Sequence, residues 1–521
     1  MINNNLYPNT NLLKPFTQKR GDENYQPAVK KHNSPLKTSI FYVNDVHGKM
    51  TNMERIKTVS DIFDKSPKDE NTAKLKLASG DIILGANFIS NMVANKFLNW
   101  IGVSANALGN HEMDVIPPRL AELMKNADYK LLAINATVDP ASPMSGRIGK
   151  SIVEEHDGQK FGIIGIAPSD MAERVKLNDS VKDIKIDDFD TTVKKVQDEV
   201  NRLRAQGINK IILLSHSGFK NDRRIARETE GIDIILGGHS HDMVKDIKDG
   251  ENLLKSKSGE PVVITQAGKD GENVGVLNVE WTEDGVLTKI QNNLINTRKF
   301  NRTLPSRTAV EEVIGKPEIL GTVKYADPEP ENRLVANNPH GNLIADAMRH
   351  ELGTEIAILN AGNIRGHFDV GTVDSRLIND ITPFEDKMIV GSLSEKDIVD
   401  AIKVGAKSLV AHNSKPGILL IAGMNYTMND KGELLSLNYI DKNGVEHPID
   451  VKNPDPNRKF TCAMDDFFAM GGDNYLPSNE NPDFIIKKYN VDKNKLACDY
   501  IKKMDKPLEI RDDKRVKVVK S

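Results

Sequence analysis

In "FYVNDVHG" an aspartate and a histidine, Asp45 and His47, stand two apart just beyond an apolar run. The same kind of residue recurs at the ends of four more such runs: "LASGD" delivers Asp81, "ALGNHEMD" delivers Asn110, His111 and Asp114, "LLSHS" delivers His216, and "LGGHSH" delivers His239 and His241. Side chains two apart on an extended segment share a face, so Asp45 with His47, and His239 with His241, can each aim two donors at one place. Imidazole with carboxylate and amide oxygens suits divalent transition ions better than Mg or Ca. A shared carboxylate can hold two such ions roughly 3.5 to 4 Å apart, where they activate a bridging water and clamp the oxygens of a phosphoryl group. Each motif alone has an ordinary reading: a satisfied loop residue, a turn with Asn in the left-handed region, or a glycine-rich turn with an exposed histidine pair. That reading would have to hold at five strand ends, where 5 of the 12 histidines fall. The joint reading as a metal site is the more economical.

Something must bring these ends together. From residue 38 to about 300 short apolar runs alternate with amphipathic stretches, the pattern of sheets covered by helices. The runs are "SIFYV", "LKLAS", "LLAIN", "FGIIGI", "KIILLS", "IDIILG", "PVVITQ" and "GVLNVEW", and Val193, Val196, Val200 and Leu203 recur at helical spacing between two of them. In open α/β sheets, binding residues collect in the loops beyond the carboxyl ends of strands. After residue 281 the text turns polar, and residues 301–333, with "YADPEPENR", read as a linker. A second unit over 334–511 has its own helix, predicted over "GNLIADAMRHEL", and its own apolar runs "IAILN", "MIVGSL" and "GILLIA". Residues 1–37 read as a disordered polar tail and 512–521 as a short solvated end.

A chain of 521 residues exceeds what one core supports. A net charge of -3 with both signs intermixed selects neither nucleic acid nor an anionic membrane as partner. No window approaches the roughly 18 apolar residues of a membrane span, and the amino terminus has no signal-peptide core, which favours the cytoplasm. Cys462 and Cys498 are too few for a disulfide framework, and their pairing is open. The oligomeric state, monomer or dimer, is also open.

The order Asp-x-His, Gly-Asp, Gly-Asn-His-Glu, His, Gly-His-x-His resembles the signature of the calcineurin-like metallophosphoesterases. With "NAGNIR" and "FFAMGGDNY" in the second unit, the chain resembles the 5'-nucleotidase family over residues 38–511. That resemblance implies an α/β protein: an N-terminal four-layer αββα sandwich over 38–300 and a C-terminal α/β substrate-binding domain over 334–511. It implies two divalent ions, Zn or Mn, one held by Asp45, His47 and His241, the other by Asn110, His216 and His239, with Asp81 bridging. His111 and Asp114 match the family's catalytic dyad, and Asn110 would bind phosphate as well as metal. A carboxylate on one imidazole nitrogen fixes the tautomer, so the other nitrogen can stabilise charge developing on phosphate or on the leaving oxygen. The implied substrate is a nucleoside 5'-monophosphate, with nucleotide-sugar or dinucleotide pyrophosphates as further candidates; alternatives are 2',3'-cyclic-nucleotide phosphodiesterase with 3'-nucleotidase activity, and a binding protein without turnover. Relatives are mostly exported, so a periplasmic or secreted location stands beside the cytoplasmic one.

In the second unit the resemblance assigns Arg365 to phosphate and substrate, Asn360 to the base, Phe467 to stacking on the base and Asp473 to the ribose hydroxyls. Two positions depart from it. Ile418 stands where a second aromatic is usual, which predicts an aliphatic face for the base. Arg333 lies one residue further from Gly341 than in the family, so either "NNPHG" carries an insertion or Arg333 is a linker charge. "NAGN" replaces a run of glycines, and Asn363 can adopt the left-handed conformation less freely than glycine.

Overall fold

The computed structural model describes residues 11–12, 35–67, 69, 71–85, 87–175, 180–301, 304–479 and 482–521. The chain divides into two compact units, Met1–Gly315 and Lys316–Ser521.

Strand Leu36–Val43 shows why the first unit has two sheets. Ile40 and Tyr42 alternate with Phe41 and Val43, all four fully buried, and the two pairs belong to different core clusters. A strand apolar on both faces needs cover on both. It belongs to an eight-stranded sheet in the order Asn11–Leu12, Leu287–Asn296, Asn273–Trp281, Leu36–Val43, Thr72–Ala78, Ala105–Ala107, Lys130–Leu132, Ile148–Gly149. From Leu36–Val43 onward the neighbours run parallel. A six-stranded sheet orders Leu253–Lys255, Pro261–Thr265, Ile234–Gly237, Ile211–Ser215, Gln159–Ile166 and Ser151–His156, the inner pairs again parallel. Between the sheets Ile40, Tyr42, Leu75 and Leu77 meet Phe161, Ile163, Ile212 and Leu214. One register step away, Ile211 and Leu213 pack with Val196, Val200 and Leu203 of helix Phe189–Ala205, while Phe41 and Val43 pack with helices Met50–Lys65 and Phe88–Ile101. Helix, sheet, sheet, helix is the expected four-layer sandwich. Each fully buried Leu, Ile or Phe contributes about 1.5 to 3 kcal/mol to it.

The second unit is also α/β. A five-stranded sheet orders Leu419–Ala422, Ile356–Asn360, Lys459–Asp465, Lys387–Ser394 and Ile485–Asp492. Helix Pro339–Leu352 covers one face; its Asn338 cap accepts from the amides of His340 and Gly341, and Gly353, at φ 64°, ends it. Helix Glu395–Ala406 packs in the core cluster of the other face, started by a Ser394 and Asp397 capping box.

Several sequence expectations change. The segment 301–333 holds helix Leu304–Ile314, whose Val310 joins the core of the first unit, and strand Ile319–Ala326 of the second. Residues 287–296 form a strand despite their polarity: Leu287 and Ile290 are buried, and the segment pairs antiparallel with Asn273–Trp281. Strand Val516–Val519, within the expected solvated end, pairs parallel with Met424–Asn429, and Arg515 grips both carboxylate oxygens of Asp346 at 2.7 and 2.9 Å. Of the expected disordered tail, Asn11–Leu12 pair with Leu287–Asn296 and Leu36 starts a strand, while 1–10 and 13–34 lie outside the described residues. Cys462 and Cys498 are buried and unpaired. No helix among the described residues is long and apolar enough to cross a membrane.

Candidate metal centre and substrate pocket

Asp45, His47, Asp81, Asn110, His216, His239 and His241 all lie just past the carboxyl ends of parallel strands, three in the first sheet and two in the second. The structure gathers their donor atoms into adjoining groups: Asp45 with His47 and His241, His47 with Asp81 and His111, and Asp81 with His216 and His239. Asp81 stands between the groups, its Oδ2 3.7 Å from His47 Nε2 and 3.0 Å from His216 Nε2. Asp45 Oδ1 lies 3.3 Å from His241 Nε2 and 3.8 Å from His47 Nε2. Asn110 enters through its Oδ1, 2.8 Å from His239 Nδ1. The loops are tied together by backbone donors: the amide of His239 donates to Asp45 Oδ2 at 3.0 Å and that of His111 to Asp81 Oδ1 at 2.8 Å. His111 opens a short helical turn, and its Nδ1 meets Asp114 Oδ2 at 2.5 Å.

The donor set fits divalent cations. The Nε2 atoms of His47 and His216 are buried with no hydrogen-bond partner, a costly arrangement unless a ligand takes their lone pairs. Burial presses the pKa of His216 down, but the Asp81 and Asp45 carboxylates overcome it and lift it to about 10; the hydrogen bond with Asp270 and the nearby Asp81 carboxylate likewise lift His47 to about 9 against its burial. Burial would raise Asp81, yet the His216 and His111 imidazoles hold it well below the usual carboxylate range. The field that favours protons on these imidazoles also favours a cation among them.

In the second unit, strands Ile356–Asn360 and Lys459–Asp465 run parallel side by side, so the segments after them share one edge. Asn360 Oδ1 accepts from Asn363 Nδ2, which also donates to Asp465 Oδ2 at 3.2 Å. The Arg365 guanidinium lies 5.3 Å over the Phe384 ring, with Nε donating to the Gly362 carbonyl at 2.8 Å. Phe467 is half-buried, whereas its neighbour Phe468 is the core residue, stacked on Tyr475 at 5.4 Å. Asp473, exposed and left-handed at φ 52°, feels the charges of Lys415 and Arg365. Arg333 is half-buried; its neighbour Leu334 accepts from the amide of Ile418, whose carbonyl accepts from that of Ala361, so this backbone runs beside the Asn360 loop. Ile418 corrects the sequence reading. It is fully buried in the core with Ala361 and Leu419 and offers no face to a base.

Residues 38–243 match the family model for calcineurin-like phosphoesterases and residues 319–478 that for the 5'-nucleotidase C-terminal domain. The chain belongs to the 5'-nucleotidase family. Snake venom 5'-nucleotidase of Crotalus adamanteus is 26% identical over 90% of this chain and 86% of its own. The trifunctional nucleotide phosphoesterase protein YfkN of Bacillus subtilis is 26% identical over 84% of this chain, which spans only 32% of that longer protein. The fold matches the crystal structure of a 5'-nucleotidase precursor from Thermus thermophilus with a TM-score of 0.66, at 22% identity, covering 93% of this chain and 99% of that one. As a member of this family the protein is a metal-dependent phosphoester hydrolase.

Three further groups of this 5'-nucleotidase family member bear on the centre. Glu112 accepts from the amides of Gly109 at 2.8 Å, Ile82 at 2.9 Å and Asp81 at 3.0 Å, locking two loops; burial and the nearby Asp81 raise its carboxyl to about 6. Asp270 Oδ1 meets His47 Nδ1 at 2.9 Å, and Asp170 Oδ1 lies 3.5 Å from His239 Nε2. The only sequence signal for the two aspartates is their place a few residues past the strand runs "PVVITQ" and "FGIIGI".

Proposed function

We propose that the protein removes phosphate from nucleoside 5'-monophosphates, using two divalent ions, Zn or Mn. Asp45, His47 and His241 would hold one ion, Asn110, His216 and His239 the other, with Asp81 shared. The observation that carries this is the pair of buried Nε2 atoms, of His47 and His216, that both lie within 4 Å of Asp81 Oδ2, beside the His111 and Asp114 dyad. When bound, such ions supply an activated water and stabilise charge on the phosphoryl oxygens. The Asp114 carboxylate keeps the proton of His111 on Nδ1 and fixes the ring, leaving Nε2 to act on the phosphoryl or leaving oxygen. The Asp81 carboxylate, by accepting from the His111 amide, fixes the dyad's backbone at the rim.

Nucleoside recognition belongs to the second unit. Arg365 offers a planar fork for phosphate, Phe467 a stacking face, Asp473 an acceptor for ribose hydroxyls and Asn360 its amide to the base, with Arg333 a further cation. A 2',3'-cyclic nucleotide is the second reading: the same centre could act on that phosphoester, and one relative is named a trifunctional nucleotide phosphoesterase. The test is phosphate release from 5'-, 3'- and 2',3'-cyclic nucleotides and UDP-glucose after stripping the protein and restoring Mn or Zn. Metal-dependent release from 5'-monophosphates is expected. Release from cyclic substrates alone would favour the second reading, and none from any nucleotide would overturn both.

A further inference from the structure

We propose that Asp270 is a positioning residue for the metal centre: it holds the proton of His47 on Nδ1 so that Nε2 presents its lone pair to the ion. This rests on the two-metal reading above. A neutral imidazole ligates through one nitrogen only when the other carries the proton, and an acceptor on that other nitrogen selects the tautomer, aims the ring and raises its basicity.

The geometry at His47 meets each requirement. Asp270 Oδ1 is 2.9 Å from Nδ1, while Nε2, on the far side of the ring, is buried, has no hydrogen-bond partner, and faces Asp45 and Asp81 at 3.8 and 3.7 Å. Asp270 is itself fixed. Its amide donates to the Asp45 carbonyl at 2.6 Å and its carbonyl accepts from Asn52 Nδ2 at 2.8 Å. Asp270 holds φ 57°, a left-handed conformation that Asp and Asn tolerate better than most residues. The following Gly271, at φ 67°, has Ile56 within 2.8 Å of where a side chain would begin, so the turn that carries Asp270 is closely packed. The backbone of Asp270 thus braces one ligand, Asp45, and its side chain orients the next, His47. The other imidazoles are served differently: His216 Nδ1 meets the Ser79 carbonyl at 2.6 Å, and His239 Nε2 lies 3.5 Å from Asp170. Asp270 therefore acts on one ion.

The experiment titrates Mn or Zn into the stripped full-length protein and compares wild type, Asp270→Asn and Asp270→Gly by calorimetry, with melting of the metal-free forms alongside. Glycine tolerates the backbone conformation but has no acceptor, whereas the asparagine oxygen can still accept from Nδ1. In Asp270→Gly one of the two dissociation constants is expected to weaken about 10- to 100-fold, the usual effect of losing such a partner, with the other unmoved. Asp270→Asn should recover part of the loss, and nitrogen-15 spectra of its metal-loaded form should retain the proton on His47 Nδ1. Unchanged affinity of both ions in Asp270→Gly would overturn the inference. So would equal loss in both variants accompanied by equal destabilisation of the metal-free protein. Failure of the wild type to bind two ions would instead overturn the two-metal reading itself.

Discussion

If His111 acts on the substrate and Asp114 acts only through His111, removing both should cost little more than removing His111 alone. The His111 ring lies edge-on to that of His47, with 5.2 Å between centroids, and touches Asp114 through Nδ1 at 2.5 Å. Its tie to Asp81 is through the backbone amide, which an alanine keeps. His111→Ala should therefore retain both ions while losing a donor worth about 2.7 to 4 kcal/mol in the transition state, a fall of about 10²- to 10³-fold in kcat. The Asp114 contact involves a charged acceptor, worth about 1.5 to 3 kcal/mol. Its side chain is 34% exposed, so solvent screening puts the loss toward the lower figure, about tenfold in Asp114→Ala. Single-turnover and steady-state phosphate release, with metal content measured on each sample, gives the four corners of a double-mutant cycle. The double variant should match His111→Ala within error. Additive losses would show that Asp114 has a role independent of the imidazole, and loss of a metal in His111→Ala would make His111 a ligand rather than the donor argued here.

Other perturbations test separate parts of the same account. Gly85 sits at φ 83° with the place of a side chain 2.2 Å from Asp114 Cβ, so Gly85→Ala should displace the dyad carboxylate and lower turnover with metal content intact; unchanged kcat would show the dyad to be more mobile than drawn. Phe467→Ala should raise KM for nucleotides by the equivalent of about 1 to 3 kcal/mol of stacking while moving kcat less, and a fall in melting temperature without a KM change would return Phe467 to the core. His340 is fully buried, its Nδ1 accepting from the Phe368 amide at 3.1 Å, and burial, reinforced by His367, lowers its pKa to about 4. The unfolded chain therefore binds this proton more readily. The stabilisation is complete above about pH 6.5, is lost as pH falls toward 4, and amounts to about 3 kcal/mol at most. His340→Asn, which keeps an acceptor for the Phe368 amide, should flatten melting temperature against pH between 7 and 4.5, and an unaltered slope would exclude His340 as its source.

The residues that the structure gathers at the rim were legible because their chemistry is repeated in a fixed relation to strands. Asp45, Asp81, Asn110, His216 and His239 each follow a run whose apolar residues face two cores, and the rule that donors gather at carboxyl ends needs no knowledge of which sheet a strand joins. Residues that act by three-dimensional proximity were not legible. Asp270 contacts His47 across 223 positions, and nothing local distinguishes "GKDG" from a surface turn. Ile418 failed for the related reason that a resemblance aligns positions without showing which way a side chain points. Strand Leu287–Asn296 was missed because its half-exposed residues carry no apolar rhythm, its place being set by pairing with Asn273–Trp281.

The backbone of the centre shows what converging these loops requires. Asp45, His47, Asp81, His239 and His241 all have positive φ, from 49° to 75°. Such angles are uncommon outside glycine, and sparsely populated conformations of this kind cost of order 1 to 3 kcal/mol each where the surroundings impose them. Five at one rim cannot come from local preference. An Asp-x-His in plain β conformation would place both side chains on one sheet face, as the sequence reading supposed; the left-handed turns instead swing them off the strand ends and over the edge where the two sheets meet. The strain is held by contacts that act together: Glu112 on the amides of Asp81, Ile82 and Gly109, the His239 amide on Asp45, and the Asp270 amide on the Asp45 carbonyl. Bound cations, by neutralising the crowded Asp45 and Asp81 carboxylates and taking the orphaned imidazole nitrogens, would add to this restraint. Stripping the metal should therefore lower the melting temperature of the full-length protein, and an unchanged melting temperature would refute this restraint.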